Sequence, residues 1–531
     1  MKRIYEIIPG FFCWFTLLLP FFLAFFRPTL LAWFVILFDL YWLYKAFLMG
    51  GHLILGYLHY KRDIQIDWLK RLKDLQNLDS YIKKLKEEIR ENKDFQRRKF
   101  QDELQEILMI KESRKRLKNW HTLYQAVIFP TYKEGVETLR NSILACQRAN
   151  WPNERMIIVL AIEERAGEEA KDKANLLQKE FGKTFFKFLV TEHPKDLPDE
   201  IKAKGANVTW AAKKLKAFLD QNKILYQNVI LSTFDADTCA HPQYFVCLAY
   251  KYLINPHRTR RTYQPIPLYS NNIWQVPALS SVIAFSSSFW QLIEATRPYR
   301  MINFSSQAMS MQTLVEINFW DKTIISEDSR QFYRAYFTYH GNHQVVPIFT
   351  PVYMDAVLGK NFSETLKEQY LQKRRWAYGV EHFPYLCQEL PKHKEISPLS
   401  KFLLLWRLFE GHHSWSTSSL LLAFAGWLPF ALNPIFRSTV LAYNLPSLAR
   451  ILLGLTWIGL FISTYISIGL LPPKPKEYGF WKMLKMYLQW ALVPIAAIFF
   501  GSIPAVDAQT RMMLGKYLTF RVTKKAVPKM A

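Results

Sequence analysis

Cysteine is scarce in this sequence, which has only five such residues in a chain of 531. The five are scattered, none forms a C-x-x-C pair, and Cys13 lies inside an apolar segment. This pattern is typical of free thiols in a reducing compartment. Cys239 stands beside a pair of aspartates described below, and we interpret it as a buried structural thiol.

The two common nucleotide-binding loops are also missing. No G-x-G-x-x-G sequence follows the first predicted strand, and the chain has no Walker lysine loop. These absences disfavour the usual dinucleotide-binding and P-loop classes. A nucleotide that binds this protein must therefore be held by other groups.

Acidic residues are few relative to basic ones, because 44 Asp and Glu stand against 69 Lys and Arg, for a formal net charge of +25. Such an excess suits nucleic acid, an anionic substrate or the anionic cytoplasmic face of a membrane. No recognised nucleic-acid-binding signature is present. Half of the residues are hydrophobic and long apolar runs occur, so the sequence predicts a lipid bilayer as partner and no nucleic acid.

Two apolar runs open the chain, over residues 7–26 and 30–49. Each is about long enough to cross a bilayer, and Arg27-Pro28 provides the turn between them. Basic residues precede the first run and follow the second, which places both ends of the hairpin in the cytoplasm. We expect a transmembrane hairpin over 1–59, and an integral protein of the inner or plasma membrane whose catalytic domain is cytoplasmic.

Residues 60–119 are charged and contain no glycine or proline. Apolar residues at alternating spacings of three and four predict a helix that packs on the neighbouring domain. A short coiled coil or a helical hairpin is the alternative. The stripe consists of Leu75, Leu78, Ile82, Leu85 and Ile89.

Strand-like and helix-like segments alternate in the first half of residues 120–395. Strands are predicted over 126–129, 156–162, 185–190 and 229–234, with amphipathic segments between them. This β-α-β-α order predicts an α/β domain with a mostly parallel sheet and helices on both faces.

The fourth predicted strand ends in two carboxylates, Asp235 and Asp237. Open α/β sheets bind ligands at the carboxyl ends of their strands. Two carboxylates there suit a divalent cation, Mg²⁺ or Mn²⁺, which prefers oxygen ligands. A solvated turn explains an isolated Asp-x-Asp more simply, since aspartate favours turns. The pair therefore needs support from other motifs.

Apolar sequence returns over residues 396–506. Residues 402–409 are too short to span and predict an interfacial helix, whereas 416–432, 448–471 and 481–503 are candidate spans. Three full crossings would place the basic tail, residues 507–531, outside the cell and against the charge rule. We therefore expect that one segment, 481–503 in the first instance, does not make a simple crossing.

Three further motifs accompany the acidic pair. They are 129–134 (F-P-T-Y-K-E), 326–328 (S-E-D) after the strand-like residues 323–325, and 372–376 (Q-K-R-R-W). Together they resemble the family 2 glycosyltransferases, above all the membrane-embedded branch of cellulose, chitin and hyaluronan synthases. That family has strand, D-x-D, T-E-D and Q-x-x-R-W in this order, and Ser326 here replaces the threonine. The resemblance covers residues 123–376 by motif and implies a GT-A type, Rossmann-like domain inserted between transmembrane helices.

Two smaller motifs extend the resemblance. Residues 203–207 (A-K-G-A-N) are similar to a loop beside the nucleotide, and 520–525 (F-R-V-T-K-K) to the F-x-V-T-x-K gating loop of cellulose synthase. The family usually carries an aspartate after the second strand that contacts the nucleoside. Glu163 is the best candidate for that place here, which leaves the base preference open.

The resemblance also implies roles for individual residues. Asp328 is the expected general base, and Glu327 orients the loop or the acceptor. Asp237 is the expected metal ligand, with Asp235 beside it as a second ligand or a contact to the nucleotide. The expected donor-binding residues are Glu163, Lys204, Asp235, Thr523 and Lys525, and the expected acceptor-binding residues are Gln372, Arg375 and Trp376.

These roles describe an inverting transfer of a hexose-type sugar from a nucleotide-diphosphate sugar, with a UDP-sugar as first expectation, to a growing polysaccharide. One alternative is the transfer of a single sugar to a lipid carrier. Another is a catalytically inactive membrane scaffold or sugar-nucleotide sensor, against which the complete set of catalytic acids argues.

Overall fold

A computed structural model of the chain describes residues 2–113 and 119–523. Its first part is helical, and α2 continues well past residue 49 because its second half packs on the α/β domain. Gly56 permits this close packing, since a Cβ there would lie 2.6 Å from the carbonyl oxygen of Leu292. The helices are α1 (Lys2–Phe26), α2 (Pro28–Ile64), α3 (Trp68–Asp74), α4 (Leu78–Glu91) and α5 (Asp94–Ser113).

The charged segment after α2 folds back against the domain. Helices α4 and α5 pack on each other, and the buried residues Leu75, Ile82 and Leu85 belong to the main hydrophobic core. Trp68 is 1% exposed and its ring lies 5.3 Å from that of Tyr250. The predicted stripe is therefore helical from Leu78 to Ile89, within α4, and its buried side faces the domain, whereas Leu75 lies before α4 because Asn77 caps the start of that helix.

Eight strands in the described residues form one sheet in the order β3-β2-β1-β4-β7-β6-β8-β5. Four of the seven neighbouring pairs are parallel, including the run from β3 to β4, so the predicted α/β domain with a mostly parallel sheet is confirmed. The strands are β1 (Tyr124–Pro130), β2 (Met156–Glu163), β3 (Lys187–His193), β4 (Val229–Thr233), β5 (Cys239–Ala240), β6 (Arg261–Leu268), β7 (Ala308–Ser310) and β8 (Gln344–Tyr353).

The sheet has a core on both faces. Alternate residues of a strand point to opposite sides. In β1, Val127 and Phe129 belong to one buried cluster, whereas Ala126 and Ile128 belong to another. The strand must therefore be apolar throughout, which is why it reads as a continuous hydrophobic run.

Helices cover the sheet and carry the polar motifs. The segment 323–325 was predicted to be strand-like, and this prediction is wrong. Its backbone forms an irregular turn in which Thr323 donates to the Asp321 carboxylate from both its amide (2.9 Å) and its hydroxyl (2.7 Å). Ile325 is apolar because it packs in a cluster with Tyr378. The helices are α6 (Val136–Gln147), α7 (Glu168–Phe181), α8 (Lys204–Gln221), α9 (Tyr244–Ile254), α10 (Ala278–Ala295), α11 (Met311–Glu316), α12 (Glu327–Thr338), α13 (Phe362–Ala377) and α14 (His382–Glu389).

Apolar helices complete the chain. Residues 402–409, for which an interfacial helix is predicted, are helical and form part of the longer helix α15, which no proline interrupts after Pro398. The helices are α15 (Pro398–Phe424), α16 (Leu428–Leu432), α17 (Pro434–Arg437), α18 (Val440–Leu455), α19 (Trp457–Gly469), α20 (Phe480–Leu488), α21 (Val493–Ala497) and α22 (Ile503–Met513).

Five helical stretches of the described chain are long and apolar enough to cross a membrane. The last of them is irregular, with a 3₁₀ turn at Gln489–Leu492 and a π-helical turn at Ile498–Ser502. After it the backbone reverses at Gly515, whose φ of 72° suits glycine. The stretches are Lys2–Phe26, Pro28–Ile64, Pro398–Leu432, Val440–Gly469 and Phe480–Met513.

Replacing Trp68 tests whether the charged segment is part of the fold. Trp68→Ala removes a buried indole that also donates to the carbonyl of Asp63 (2.9 Å), so we expect a loss of about 3–5 kcal/mol in the free energy of unfolding. Thermal unfolding of the detergent-solubilised protein measures it. Lys86→Ala, an exposed change on α4, is the control and should stay within about 0.5 kcal/mol. Equal stability of both variants would show that the segment does not pack on the domain.

Candidate active site

A cavity of about 1880 Å³ opens at the carboxyl ends of β1, β2 and β4. It is lined by residues from both halves of the chain, including the tail after α22. Lys525 lies outside the described residues. All other site residues predicted from the sequence line this one cavity, namely Glu163, Lys204, Asp235, Asp237, Glu327, Asp328, Gln372, Arg375, Trp376 and Thr523.

Lys204 links the strand carboxylates to those of α12. It is the first residue of α8, and its Nζ lies 2.8 Å from Oδ1 of Asp235. The same Nζ lies 3.2 Å from Oδ2 of Asp328 and 3.8 Å from Oε1 of Glu327. One ammonium group therefore bridges Asp235 to the adjacent pair Glu327 and Asp328, which is about 90 residues further along the chain.

Gly205 permits this approach. A Cβ at residue 205 would lie 2.6 Å from the carbonyl oxygen of Asp321 and 3.1 Å from Cβ of Glu327. A side chain there would push the start of α8 away from α12. The glycine of the A-K-G-A-N motif is therefore needed for the position of Lys204.

Burial and charge set the protonation of this group. Burial raises the pKa of Glu327 to about 8, with the neighbouring Asp328 charge adding to the effect and Lys204 opposing it. Burial also raises the pKa of Asp328, again against the effect of Lys204. Burial alone would lower the pKa of Lys204, but the carboxylates of Asp235, Asp328 and Glu327 raise it above its ordinary value. The carboxylates thus favour the charged form of Lys204, and burial favours the protonated form of Glu327.

The two aspartates after β4 are held by different partners. Ser305 donates its hydroxyl to Oδ2 of Asp235 (2.7 Å), and the amide of Asp355 donates to Oδ2 of Asp237 (3.0 Å). Asp235, Asp237 and Asp355 all line the cavity. Carboxylate oxygens are the donors that Mg²⁺ and Mn²⁺ prefer, so these residues fit a divalent cation.

A second acidic corner forms at the ends of β1 and β2. Glu163 is 7% exposed and accepts a hydrogen bond from Nε of Arg165. The Arg165 guanidinium lies 4.6 Å from the centre of the Tyr132 ring. Glu134 shapes the loop by accepting the amides of Tyr132 (2.6 Å) and Lys133 (3.0 Å). Glu163 thus lies beside an aromatic ring and a cation that also line the cavity.

Helix α13 presents an aromatic face to the cavity. The Trp376 ring centre lies 6.0 Å from that of Tyr269 and 4.4 Å from Nζ of Lys373. That Nζ donates to the Ser287 hydroxyl (2.8 Å). Burial lowers the pKa of Lys373 to about 7. Gln372 is buried and accepts from Nε2 of Gln369 (3.4 Å), which fixes its side chain on the same helix.

The tail after α22 lies across the same helix. Phe520 lies 5.5 Å from the Arg375 guanidinium, and Arg521 forms an ion pair with Glu368. Val522 and Thr523 line the cavity. The described part of the F-x-V-T-x-K motif is therefore in contact with the helix that carries Q-x-x-R-W.

Sequence reasoning missed several residues of the cavity. Asp355 lies two residues after β8, a strand that the sequence did not predict. Lys373 lies at a variable position inside Q-x-x-R-W, where the motif itself gives no signal. Ser287 lies in a segment whose sequence has no recognisable chemical pattern, whereas Tyr269 and Ser305 lie in 263–274 and 303–312, the segments expected from the sequence to form the wall of the donor pocket.

No family model matches the chain, and no curated protein is similar to it in sequence. Among solved structures, it is similar to the mannosyltransferase PcManGT from Pyrobaculum calidifontis in complex with GDP-Man and Mn²⁺, with 12% identity over 68% of this chain and 93% of that one, and a TM-score of 0.41. It is also similar to S. aureus TarS 1–349 in complex with UDP-GlcNAc, with 12% identity over 75% of this chain and 94% of that one, and a TM-score of 0.34. These likenesses concern the overall path of the chain and assign no role to any residue of the cavity.

The protonation of Glu327 makes stability depend on pH. Because its pKa is about 8 in the fold and about 4.5 in the unfolded chain, the folded protein binds a proton that the unfolded chain releases between those values. The contribution of Glu327 to the free energy of unfolding should therefore fall as the pH rises from about 5 to about 8. Glu327→Gln, which has no carboxylate, should remove this contribution and so change the slope of stability against pH.

Thermal midpoints of both proteins across that pH range, in detergent with a chelator present, provide the measurement. Glu87→Gln, an exposed change on α4, should keep the wild-type slope. If Glu327→Gln also keeps it, Glu327 is not the titrating group.

Proposed function

We propose that this protein is a membrane-integrated, inverting glycosyltransferase of family 2 with a GT-A type domain, which transfers a hexose-type sugar from a nucleotide-diphosphate sugar to a growing saccharide. The observation that carries the proposal is the bridge made by Lys204. It joins Asp235, at the end of the fourth strand, to Asp328, at the start of α12. A donor site and a base for the acceptor would thereby share one cluster of charged side chains.

The donor would lie with its nucleoside near Glu163 and its diphosphate near Lys204. A carboxylate accepts hydrogen bonds from a base or ribose, and the Tyr132 ring beside it offers a stacking face. The diphosphate would meet the ammonium of Lys204, the guanidinium of Arg375 and the tail at Thr523. Lys525 would add a further cation from beyond the described residues.

A divalent cation held by Asp237 and Asp235 would stabilise the negative charge on the leaving diphosphate. Lys204 would contribute in the same direction from its fixed place between the carboxylates. Because its charge is in position before the reaction starts, no reorganisation is needed as the leaving group departs.

Asp328 would act as the general base. Its raised pKa brings it closer to neutral pH than an ordinary aspartate, which suits a group that must accept a proton during the reaction. The acceptor hydroxyl would transfer its proton to the Asp328 carboxylate while its oxygen bonds to the anomeric carbon. The bond from that carbon to the diphosphate breaks, and its electron pair leaves with the nucleotide. One such displacement inverts the anomeric configuration.

Glu327 and Trp376 would orient the acceptor. In its protonated form, which burial favours, Glu327 would donate a hydrogen bond that an ionised carboxylate cannot. The Trp376 indole would provide a flat apolar surface for a sugar ring, with Tyr269 beside it and Gln372 one turn earlier on α13.

The domain and the tail would lie on the cytoplasmic side. The tail lines the cavity at Thr523, and Arg3 near the start of the chain donates to the carbonyl of Met512 (2.7 Å). These contacts support a common side for both, with the irregular stretch Phe480–Met513 not making a simple crossing. Polymer elongation is the main proposal, and transfer of a single sugar to a lipid carrier is the alternative.

Asp328→Asn tests the base. We expect sugar transfer to fall about 100- to 10,000-fold, because the amide cannot accept the proton, while the affinity for the nucleotide sugar remains. Purified protein with labelled nucleotide sugars and Mg²⁺ or Mn²⁺ gives turnover, and equilibrium binding gives the affinity. Asp172→Asn, an exposed change on α7, should leave both unchanged. If Asp328→Asn turns over at the wild-type rate, Asp328 is not the general base. If the wild-type protein transfers no sugar from any nucleotide sugar tested, the alternative of a catalytically inactive sugar-nucleotide sensor is favoured.

Trp376→Ala tests the acceptor surface. Loss of the ring should raise the KM for the acceptor by about tenfold or more and leave hydrolysis of the nucleotide sugar in the absence of acceptor. Trp376→Phe keeps an aromatic face and should recover part of the loss. If the KM for the donor rises instead, the Trp376 ring belongs to the donor site.

Gel analysis of the wild-type product separates a polymer ladder from one discrete glycolipid.

A further inference from the structure

A group of basic side chains lines the cavity at the end of α10. We define the basic cluster as Lys45, Arg297, Arg300 and Arg407, all of which line the cavity. Two carboxylates also line this part, those of Glu294 and Glu410. Among the described residues here, four cations thus stand against two anions. None of the six belongs to the site residues described above.

Internal pairing does not satisfy the basic cluster. Arg297 is 4% exposed and pairs with Glu294, while Nε of Arg300 lies 3.5 Å from the same carboxylate. Nε of Arg297 is buried and has no hydrogen-bond partner among the described residues. Arg407 donates only to the carbonyl of Tyr299 (3.2 Å) in the hydrogen bonds that the structure shows. A buried, unpaired donor and an excess of cations point to an anionic ligand.

The basic cluster is distant from the base. Ser287, beside Lys373 and Trp376, and Ala295, at the end of α10, are eight residues apart, which is about 12 Å along a helix. On α12, Asp328 and Tyr336 both line the cavity and are also about 12 Å apart. The cavity is therefore an elongated cleft with the reaction centre and the basic cluster well separated.

This end of the cleft is adjacent to the apolar helices. Lys45 belongs to α2 and Arg407 to α15, both of which are long and apolar enough to span a membrane. Helices α2 and α10 are in contact at Gly56, and His52 on the same helix bonds to Thr296 (2.9 Å). Lys45, two turns before His52 on α2, and Trp42 line the cavity.

Exposed aromatic side chains accompany the basic cluster. Trp290 (45% exposed) and Tyr299 (69% exposed) line the cavity, and Trp406, next to Arg407 on α15, is 50% exposed. Exposed tryptophan and tyrosine beside apolar helices are typical of the interface between a bilayer and water. Phosphate headgroups lie at that depth, so the charge of the basic cluster complements what a bilayer presents there.

We propose that the acceptor saccharide is attached to a lipid phosphate or diphosphate, and that this phosphate binds at the basic cluster while the lipid chain remains between α2 and α15. The proposal rests on the proposed function. The separation of about 12 Å means that the phosphate is not itself the nucleophile, and that the sugar portion spans the cleft from the basic cluster to Trp376. A free anion would use the same charges but would gain nothing from the apolar helices.

Binding of farnesyl diphosphate to the full chain in detergent tests the site without any sugar donor. Farnesol has the same lipid chain without the phosphate, and inorganic diphosphate has the phosphate without the chain. We expect farnesyl diphosphate to bind at least about tenfold more tightly than either. Arg300→Gln and Arg407→Gln should each weaken its binding by about tenfold, because each removes a charged hydrogen-bond donor. Arg90→Gln, on α4, is the matched control and should bind as the wild type does.

Several results would overturn the proposal. Equal binding of farnesol would show that the phosphate is not recognised, and equal binding of inorganic diphosphate would show a site for a free anion. Wild-type binding by the Arg300→Gln and Arg407→Gln double variant would place the phosphate elsewhere. Thermal unfolding of each variant separates loss of binding from loss of fold.

A transfer assay then distinguishes this proposal from the proposed function. The acceptors are an oligosaccharide on a polyprenyl diphosphate and the same oligosaccharide on a phosphate-free alkyl chain. If the wild-type protein prefers the polyprenyl diphosphate acceptor and the Arg300→Gln and Arg407→Gln double variant does not, the result supports phosphate binding at the basic cluster. Equal use of both overturns it while leaving the proposed function intact. Absence of transfer to either, together with absence of nucleotide-sugar hydrolysis, contradicts the proposed function instead.

Discussion

The ammonium group of Lys204 is the constraint on which the cavity depends. Glu327 is buried and Asp328 and Asp235 are partly buried around it, and a cation among these acids offsets their mutual repulsion. The lysine reaches that place because α8 begins at residue 204 and because residue 205 is a glycine. The geometry of strand, α8 and α12 is therefore one unit, and none of its three parts can move without exposing uncompensated charge.

Much of the domain can be predicted from the sequence because its central strands are apolar on both faces. The runs that became β1, β2 and β4 are buried along nearly their whole length, so they stand out without knowledge of their partners. The strands β5 and β7 have two and three residues, which is too short for any periodicity. The prediction of a strand at residues 323–325 failed for a different reason. Apolar residues that anchor a turn have the same composition as a short strand.

The candidate site likewise has residues that the sequence predicts and residues that it does not. Motifs such as S-E-D and Q-x-x-R-W have fixed spacing and were recognisable, whereas Asp355 and Tyr269 enter the cavity through the way β8 and the segment after β6 are arranged. The basic cluster is a further example. Its members come from α2, the end of α10 and α15, so that only the packing of helices brings Lys45, Arg300 and Arg407 to one cavity. In the sequence each of them is an ordinary flanking charge.

The contact between Phe520 and Arg375 joins the two ends of the catalytic half of the chain. Arg375 adjoins Trp376 in α13, so the tail touches the helix that carries the proposed acceptor surface. If a nucleotide binds as proposed, residues 520–523 would lie beside it, and its exchange would be coupled to the position of the tail on α13.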